Sequence, residues 1–462
     1  MPASLRDKSR APGHHTAAAA SGSQRGSVLI IVLWVAFGLV SIALYFAHSM
    51  IFELRASDNR QAGLEAEQAI AGAARYASDL LANLEVPGRL PDVQTYQRAN
   101  VPVGDATFWF LGRSDSHGAP DLPFFSVADE ASKLNLNTTG PEMLALLPRM
   151  TPDLAAAIQD WRDADSDVSA GGAEDETYAR RNPAYKCKNG PFESVDELRL
   201  VFGMDLEILY GEDTNQNGVL DPNENDGDRS PPNDNRNGRL DPGLAEYVTV
   251  YSREPNTRTN GTPRINVSGG QAQVQLRLES LLQEKFGADR ASQILQQLGP
   301  IQGSRSLLEF FIRSRMTVED FARIEGDITV SNGQSLEGLI NVNTASAAAL
   351  ACIPGIGVEK AESLVAYRQA NPNQLTSLAW VAEALGQEGA NQAGPFLTSR
   401  SHQFTVDIAA LGHQGRGYRR VRFVFDISDG TPKIFHRQDL THLGWALGKE
   451  VLQTGLLART MP

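Results

Sequence analysis

Residues 28–47 read Val-Leu-Ile-Ile-Val-Leu-Trp-Val-Ala-Phe-Gly-Leu-Val-Ser-Ile-Ala-Leu-Tyr-Phe-Ala and contain no charged side chain. A run of about 20 apolar residues is what an α-helix needs to cross the hydrocarbon core of a bilayer. Basic residues precede this run and Glu53 follows it, a distribution that predicts a cytoplasmic N-terminus. We therefore expect a single membrane span, with the bulk of the chain on the opposite side of the membrane.

The helical pattern continues beyond the apolar run. Residues 53–84 contain no proline, and their apolar side chains recur at the i, i+3, i+4 and i+7 spacing of one helix face. This stripe comprises Ala66, Ala69, Ile70, Ala73, Ala77, Leu80, Leu81 and Leu84. The sequence predicts one helix from about residue 28 to residue 84, whose second half packs on a soluble domain.

The composition of the whole chain limits its partners. The 462 residues include 42 Lys+Arg and 55 Asp+Glu, which gives a formal net charge of −13. Nucleic acid is disfavoured as a main partner, because phosphate neutralisation needs surplus Lys and Arg, whereas divalent cations are compatible with this balance. We find no nucleophile-elbow, metalloprotease or phosphate-loop motif, so we expect a protein that is not an enzyme.

An internal repeat occupies the middle of the chain. Residues 135–148, Asn-Leu-Asn-Thr-Thr-Gly-Pro-Glu-Met-Leu-Ala-Leu-Leu-Pro, return as residues 341–354, Asn-Val-Asn-Thr-Ala-Ser-Ala-Ala-Ala-Leu-Ala-Cys-Ile-Pro. The match continues without a gap to Arg162 and Arg368, and a weaker third copy starts at residue 265 with Ile-Asn-Val-Ser. Each copy predicts a capped short helix, a tight hairpin and a second helix.

Residues 353–357, Ile-Pro-Gly-Ile-Gly, resemble the turn of a helix-hairpin-helix motif. In that motif the glycines let backbone N–H groups approach a DNA phosphate. The first copy has Arg-Met-Thr at residues 149–151 instead, and Glu359 accompanies Lys360 after the second hairpin. We therefore expect the hairpins to serve packing rather than DNA binding.

Residues 213–224, Asp-Thr-Asn-Gln-Asn-Gly-Val-Leu-Asp-Pro-Asn-Glu, fit the twelve-residue calcium loop of an EF-hand. Oxygen ligands stand at the first, third, fifth, ninth and twelfth positions, with glycine at the sixth and a backbone carbonyl available at the seventh. The predicted ligands are Asp213, Asn215, Asn217, Val219, Asp221 and Glu224. We expect Ca²⁺ here as a structural ligand that orders the polar residues 211–245.

Two further segments are candidates for an ion. Residues 233–244 match the same loop pattern at Asn235, Asn237 and Asp241, but Asn233 and Leu244 replace the carboxylates at its two ends. The residues that could compensate are Asp226, Asp228, Asp234 and Glu246. The other segment either binds an ion or remains a flexible acidic loop, and its candidate ligands are Asp163, Asp165, Asp167, Glu174 and Asp175.

Residues 25–27, Arg-Gly-Ser, directly precede the apolar run and resemble a type IV prepilin leader. The resemblance implies that a prepilin peptidase cuts between Gly26 and Ser27. Pilins carry a glutamate at the fifth mature position, where this chain has Ile31. That departure, the Asn-x-Asn-Thr hairpins and residues 161–165, Trp-Arg-Asp-Ala-Asp, resemble the K-type minor pseudopilins of type II secretion.

The resemblance implies a structural role in protein secretion, at the tip of a pseudopilus. It further implies an inner-membrane protein whose bulk is periplasmic, partnered by minor pseudopilins of the I and J types and dependent on calcium. A membrane-anchored DNA receptor for uptake and a minor subunit of a type IV pilus are the alternatives. Cys187 and Cys352 either form one disulfide or remain separate buried thiols.

Strand patterns at residues 106–111, 403–409 and 419–427, and a further candidate at 247–251, complete the predicted fold. We expect an α+β protein with a long N-terminal transmembrane helix, a small pilin-like antiparallel sheet and a large α-helical insertion of repeated helix-hairpin-helix (SAM-like) units. The predicted domains are a leader (1–26), the long helix (27–84), pilin-like strands (85–134), a helical insertion with calcium loops (135–250), a degenerate helical repeat (251–338), a helix-hairpin-helix repeat (339–400) and C-terminal strands (401–462).

Overall fold

The structure is a computed structural model that describes residues 25–113, 123–269, 272–299, 303–449 and 451. It divides into two units, Met1–Arg60 and Gln61–Pro462. Residues 1–24 of the predicted leader lie outside the described residues, while Gly26 and Ser27 belong to the backbone of the first helix.

Helix α1 runs from Arg25 to Ala82, which confirms the predicted continuous helix. In the first unit its large apolar side chains, from Val28 to Leu54, are exposed. Among the described residues it is the one helix long and apolar enough to cross a membrane, with a mean hydropathy of 2.7 over an 18-residue window that is 0% buried. Its length and composition therefore fit a single-pass anchor.

The remaining elements belong to the second unit. In chain order the strands are β1 (Val101–Val103), β2 (Ala106–Leu111), β3 (Ala128–Asp129), β4 (Leu134–Asn135), β5 (Val248–Thr249), β6 (Arg253–Pro255), β7 (Ile265–Asn266), β8 (Ile328–Thr329), β9 (Ser335–Glu337), β10 (Ile340–Asn341), β11 (Leu397–Thr398), β12 (Gln403–Leu411), β13 (Arg419–Asp426) and β14 (Lys433–Asp439). The helices are α2 (Pro141–Leu144), α3 (Pro152–Arg162), α4 (Asp175–Ala179), α5 (Leu206–Tyr210), α6 (Ala272–Phe286), α7 (Ala288–Leu298), α8 (Leu307–Ser314), α9 (Val318–Ile324), α10 (Ala347–Ala351), α11 (Gly357–Ala370) and α12 (Trp380–Ala393, interrupted at Gly386).

The described chain forms an antiparallel sheet in the order β1-β2-β12-β13-β14, with β3 paired to the start of β12. One face packs on the second part of α1, where the predicted stripe meets the aromatic side chains of the strands. Strand β14 was not predicted, because it is an edge strand whose side chains are mostly exposed and whose sequence, Lys-Ile-Phe-His-Arg-Gln-Asp, does not alternate apolar with polar residues. The predicted fold class is confirmed: a long helix and a small antiparallel sheet accompany a large helical region.

One predicted strand is shorter than expected and lies elsewhere. Of residues 247–251 only β5 is extended, and it pairs in parallel with β4 rather than joining the antiparallel sheet. The reason is that β4 and β5 are the first and last strands of one of the helical segments described next.

Among the described residues, three helical modules are built alike: module 1 (134–249), module 2 (265–329) and module 3 (340–398). Each opens with a two-residue strand that pairs in parallel with the two-residue strand that closes it. An asparagine side-chain oxygen in each opening strand accepts the backbone N–H two residues later, at 2.9 Å for Asn135, 2.9 Å for Asn266 and 3.0 Å for Asn341. The weaker copy at residue 265 is thus a complete module.

Matching arginines hold the opening segments of modules 1 and 3. Arg162 donates to the carbonyls of Leu136 and Thr139. Arg368 donates to Val342 O at 3.1 Å and to Ala345 O at 2.5 Å. The ungapped alignment of these two arginines therefore reflects a shared hydrogen-bonding role. The two modules also share one hydrophobic core, in which Cys187 and Cys352 are buried and free.

Module 1 is enlarged by two insertions. In modules 2 and 3 a 3₁₀ turn leads from the last helix to the closing strand, as at Glu325–Asp327. In module 1 residues 211–243 stand between α5 and the corresponding turn, Leu244–Glu246. Residues 163–193 form the other insertion, after α3. Both insertions carry the predicted metal ligands.

The glycine hairpin of module 3 is packed against the rest of its own module. Gly355 has φ +83°, and a Cβ there would lie 2.6 Å from Cβ of Gln392 on α12. Gly357 has φ +71° and nothing within 4 Å of a Cβ. The Lys360 ammonium donates to Gly355 O at 3.1 Å. The face of Gly355 is therefore covered by protein.

We expect Gly355→Ala to destabilise the full chain more than Gly357→Ala. Both substitutions place an L side chain at positive φ, at a cost of about 1–3 kcal/mol, but only the first also collides with α12. Thermal unfolding of the two variants measures the difference. Equal melting temperatures would contradict a packing role for this hairpin.

Candidate metal centres

The first loop, residues 213–224, turns as an EF-hand loop does. The buried carboxylate of Asp213 accepts the N–H of Asn217 at 2.9 Å and that of Gly218 at 3.1 Å. Gly218 has φ +71°, the conformation that the sixth position requires. The side-chain oxygen of Asn217 accepts Val219 N–H at 2.7 Å. These contacts curl the loop so that its oxygen-bearing side chains converge.

Glu224 closes the first loop and has an oxygen without a partner. It is 1% exposed, its Oε2 accepts the N–H of Asp221 at 3.0 Å, and its Oε1 has no hydrogen bond. Burial, with the negative charges of Asp213 and Asp221, raises the pKa of Glu224 to about 8. An unpaired buried carboxylate oxygen beside other carboxylates fits a divalent cation, which would supply the missing positive charge.

The remaining ligands lie beside Asp221. The side-chain NH₂ groups of Asn215 and Asn217 donate to Asp221 Oδ2, at 2.8 Å and 3.0 Å. Hydrogen bonds thus link the predicted side chains of this loop to one another or to its backbone, although the one group of three carboxylates whose ligand atoms lie within 4.8 Å of one another in the described chain is elsewhere. A half-turn of an amide group exchanges the positions of its oxygen and its nitrogen. Both asparagines can therefore offer an oxygen to an ion at the same place.

Arginines join the first loop to the sheet. The buried Arg420 of β13 donates to Asn215 O at 2.5 Å and to Gln216 O at 2.6 Å, and it also donates to Asp407 of β12 at 2.7 Å. Against the effect of burial, Arg420 and Arg422 lower the pKa of Asp407. The apex of the loop is therefore held by a buried ion pair of the sheet.

The second loop, residues 233–244, repeats the same backbone turn. Arg236 and Gly238 have φ +55° and +72°, as Gln216 and Gly218 have +55° and +71° in the first loop. Asn235 donates to Asp241 Oδ2 at 2.8 Å, matching the contact from Asn215 to Asp221. The asparagines Asn235 and Asn237 are exposed here, so this loop is more open to solvent.

The carboxylates expected to complete the second loop are engaged or exposed elsewhere. Asp234 accepts the N–H groups of Asp226 and Gly227 at 2.8 Å and 2.6 Å. Asp226 accepts the hydroxyl of Ser230, Glu246 pairs with Arg113 at 2.7 Å, and Asp228 is exposed. The carboxylate that contacts this loop is that of Glu212, which was not among the predicted ligands. It accepts Asp241 N–H at 3.0 Å.

A third cluster lies in the other insertion of module 1. Ligand atoms of Asp163, Asp165 and Glu174 lie within 4.8 Å of one another. Glu174 is 3% exposed and neither of its oxygens has a hydrogen-bond partner, while Asp163 Oδ1 is also unpaired. Burial and nearby carboxylates raise the pKa of both Asp163 and Glu174. This arrangement fits a cation as the first loop does.

Two of the five predicted residues do not join this cluster, and the charge of one unpredicted residue acts on it. Asp167 is exposed, and Asp175 accepts the N–H of Cys187 at 2.8 Å. Asp160 is 0% exposed, its Oδ1 is unpaired, and its charge acts on Glu174. A Cβ at Gly172 would lie 2.0 Å from Asp160 Oδ2, so the chain passes directly over this carboxylate. The signal available in the sequence was the three-residue spacing between Asp160, on α3, and Asp163, which follows the last residue of α3.

Two family models match separate parts of the chain. Residues 142–210 match the model described as type II secretion system (T2SS), protein K, and residues 337–397 match the helix-hairpin-helix motif. The first match contains the third cluster, and both loops of residues 213–244 lie outside the two matches. The predicted resemblance to K-type proteins is thus confirmed over residues 142–210.

Curated relatives match over a similarly short length. The type II secretion system protein K of Klebsiella pneumoniae is 44% identical over 67 residues, 14% of this chain and 21% of that protein. The protein of the same name from Pectobacterium carotovorum subsp. carotovorum is 42% identical over 55 residues, 12% of this chain and 17% of that protein. The chain therefore spans about a fifth of the length of the curated relatives it matches.

A solved structure is similar over a longer range. It is the GspK-GspI-GspJ complex from the type 2 secretion system of enterotoxigenic Escherichia coli, of which the matched chain is 14% identical to this one. The match covers 84% of this chain and 98% of that chain, with a TM-score of 0.37.

The raised pKa of Glu224 makes the stability of the metal-free chain depend on pH. A folded-state pKa of about 8 against an ordinary value of 4.5 means that this contribution is fully present below about pH 4.5 and is lost as pH rises through about 8. The slope is at most about 1.4 kcal/mol per pH unit. In excess chelator, the melting temperature of the wild-type chain should therefore fall more steeply from about pH 6 to 8 than that of Glu224→Gln. Parallel curves would contradict the assignment.

Proposed function

We propose that this chain, whose residues 142–210 match the family of type II secretion protein K, is a minor pseudopilin at the tip of a type II secretion pseudopilus. Its role there is structural and not enzymatic. Helix α1 anchors it in the inner membrane by one span, with a cytoplasmic N-terminus and a periplasmic bulk. A prepilin peptidase removes residues 1–26 by cutting between Gly26 and Ser27.

Three features support this proposal together. The K-type match falls in the first helical module. One long apolar helix precedes the soluble elements, and its second part packs on a small antiparallel sheet. Basic residues lie before the apolar run and Glu53 after it, which favours the proposed orientation. The K-type match is the observation on which the proposal chiefly depends.

The alternative of a DNA receptor has one observation in its favour, the helix-hairpin-helix match of residues 337–397. The packing of that hairpin argues against it. The backbone at Gly355 is covered by Gln392 and is therefore not free to meet a phosphate, while the exposed Lys360 ammonium uses one of its three donors on Gly355 O. The net charge of −13 opposes DNA binding as well. We therefore propose that the hairpin packs the modules together.

The proposed partners are minor pseudopilins of the I and J types. The test is affinity purification of the tagged full chain from detergent-solubilised membranes of its own host, with a Gly26 substitution that blocks leader removal as the control. We expect I- and J-type pseudopilins to co-purify with the wild-type chain, whose mass should correspond to a start at Ser27. Recovery of a chain that retains residues 1–26, or recovery without these partners, would contradict the proposal.

We further propose that the insertions of module 1 bind Ca²⁺ as a structural ligand. In the first loop the ion would be held by Asp213, Asn215, Asn217, Asp221 and Glu224, with the Val219 carbonyl. In the third cluster it would be held by Asp163, Asp165 and Glu174. The support is the unpaired buried oxygens of Glu224 and Glu174, which a hard cation would complete. Bound calcium would supply positive charge at Glu224 and Glu174, which form no ion pair among the described residues, whereas Asp213 already pairs with Arg113 at 2.6 Å.

Chelation should lower the melting temperature of the full chain in detergent. A ligand at a hundredfold excess over its Kd stabilises the folded state by about 2.7 kcal/mol. Glu224→Gln should expose residues 211–245 to protease, Glu174→Gln should expose residues 163–193, and the exposed Glu207→Gln should change neither. Asn217→Ala should have a smaller effect than Glu224→Gln, because it removes no charge. An unchanged melt and no calcium by elemental analysis would exclude the proposal.

A further inference from the structure

Glu212 lies outside the second loop, yet its backbone is fixed against that loop. Its N–H donates to Asp241 O at 3.0 Å, and a β-bridge joins Gly211 to Pro242. A Cβ at Gly211, whose φ is +65°, would lie 2.2 Å from Asp241 O, so only glycine permits this approach. The two chain segments therefore run side by side, and Glu212 is held in register with the ninth loop position.

The side chain of Glu212 makes the contact that Glu224 makes in the first loop. Glu212 Oε2 accepts the N–H of Asp241 at 3.0 Å, and Glu224 Oε2 accepts the N–H of Asp221 at 3.0 Å. Asp241 and Asp221 are the ninth residues of their respective loops. The backbone of Asn235, the third residue of the second loop, opposes the rise that burial causes in the pKa of Glu212. The same carboxylate position is thus filled in both loops, from inside the first and from outside the second.

The charge of Glu212 is uncompensated. The residue is 3% exposed, and in the described chain it forms no ion pair with a basic side chain. The charges that act on it most are those of Asp241 and Asp234, which are negative. A buried carboxylate among other carboxylates is costly unless a cation is present. This electrostatic need is independent of the loop's turn geometry.

We propose that Glu212 is the closing carboxylate ligand of a second calcium ion, held together with Asn235, Asn237 and Asp241. It takes the place that Leu244 leaves vacant at the twelfth loop position. The inference rests on the proposed calcium function, because it extends the same ion chemistry from the first loop to the second. Adjacent residues then serve two ions: Asp213 begins the first site and Glu212 completes the second.

The test counts calcium bound to the full chain in detergent, by elemental analysis after dialysis at fixed free calcium and by calorimetric titration. Glu212→Gln should bind one ion fewer than the wild type. Asp228→Asn is the matched control, since Asp228 was a sequence candidate for the same place but is exposed, and it should keep every ion. Glu224→Gln should lose a different ion, so the double variant with Glu212→Gln should lose two.

A second variant keeps the test valid if Glu212→Gln does not fold. Glu212→Asp retains the charge but shortens the reach, and it should weaken one ion at least tenfold while leaving the others unchanged. Wild-type calcium binding with the same stoichiometry and affinity in Glu212→Gln and Glu212→Asp would overturn this inference alone. A wild-type chain that binds no calcium would overturn the proposed calcium function, and this inference with it.

Discussion

The helical modules are joined to the sheet at two consecutive buried carboxylates, Asp129 and Glu130. Asp129 ends β3, and its Oδ2 accepts hydrogen bonds from Asn341, Thr344 and Ser401, at 3.0, 2.5 and 2.6 Å. Asn341 and Thr344 belong to the opening segment of module 3, and Ser401 follows its closing strand. Burial raises the pKa of Asp129, because its partners are neutral hydroxyl, amide and N–H groups. The donors must therefore all be in place for this carboxylate to remain buried, which ties module 3 to the sheet.

Glu130 makes the corresponding connection for module 1. One of its oxygens accepts the hydroxyl of Thr249, the closing threonine of that module, and the other accepts Thr405 of β12 at 2.5 Å. Thr398, the closing threonine of module 3, likewise donates to Glu254, at 2.9 Å. In modules 1 and 3 alike, the hydroxyl of the closing threonine thus donates to a buried carboxylate. The contacts of Asp129 and Glu130 explain why a helical insertion this large keeps a defined position on a small sheet. The first loop adds a separate contact to the sheet through Arg420.

Much of this architecture could be predicted from local pattern. The stripe on α1 and strand β2 each depend on residues that are close in sequence. The equivalence of Arg162 and Arg368 follows from the alignment of two repeats. Strand β14 could not, because an edge strand with exposed side chains has no alternation to detect. The role of Glu212 could not be predicted, because the sequence pattern of a calcium loop includes only its own twelve positions. Glu212 lies 29 residues before Asp241, the residue whose N–H it accepts. Asp160 was missed because a buried aspartate on an amphipathic helix shows its role only when its neighbours are known.

The placement of the acidic residues within module 1 is the reason for proposing that a cation, rather than the protein, completes these sites. Elsewhere some buried carboxylates have an arginine partner, as Asp407 has Arg420 and Glu254 has Arg264 at 2.7 Å, while Asp129 has neutral hydrogen-bond donors only. Glu224, Glu212 and Glu174 form no ion pair among the described residues, and the charges of other carboxylates act on all three. An unsatisfied buried polar group costs about 1–3 kcal/mol, and more when it is charged. The insertions contain too few apolar residues to offset several such groups by burial alone. On the proposed calcium function, their order depends on positive charge from outside the chain, whereas the α1–sheet core is apolar and needs none.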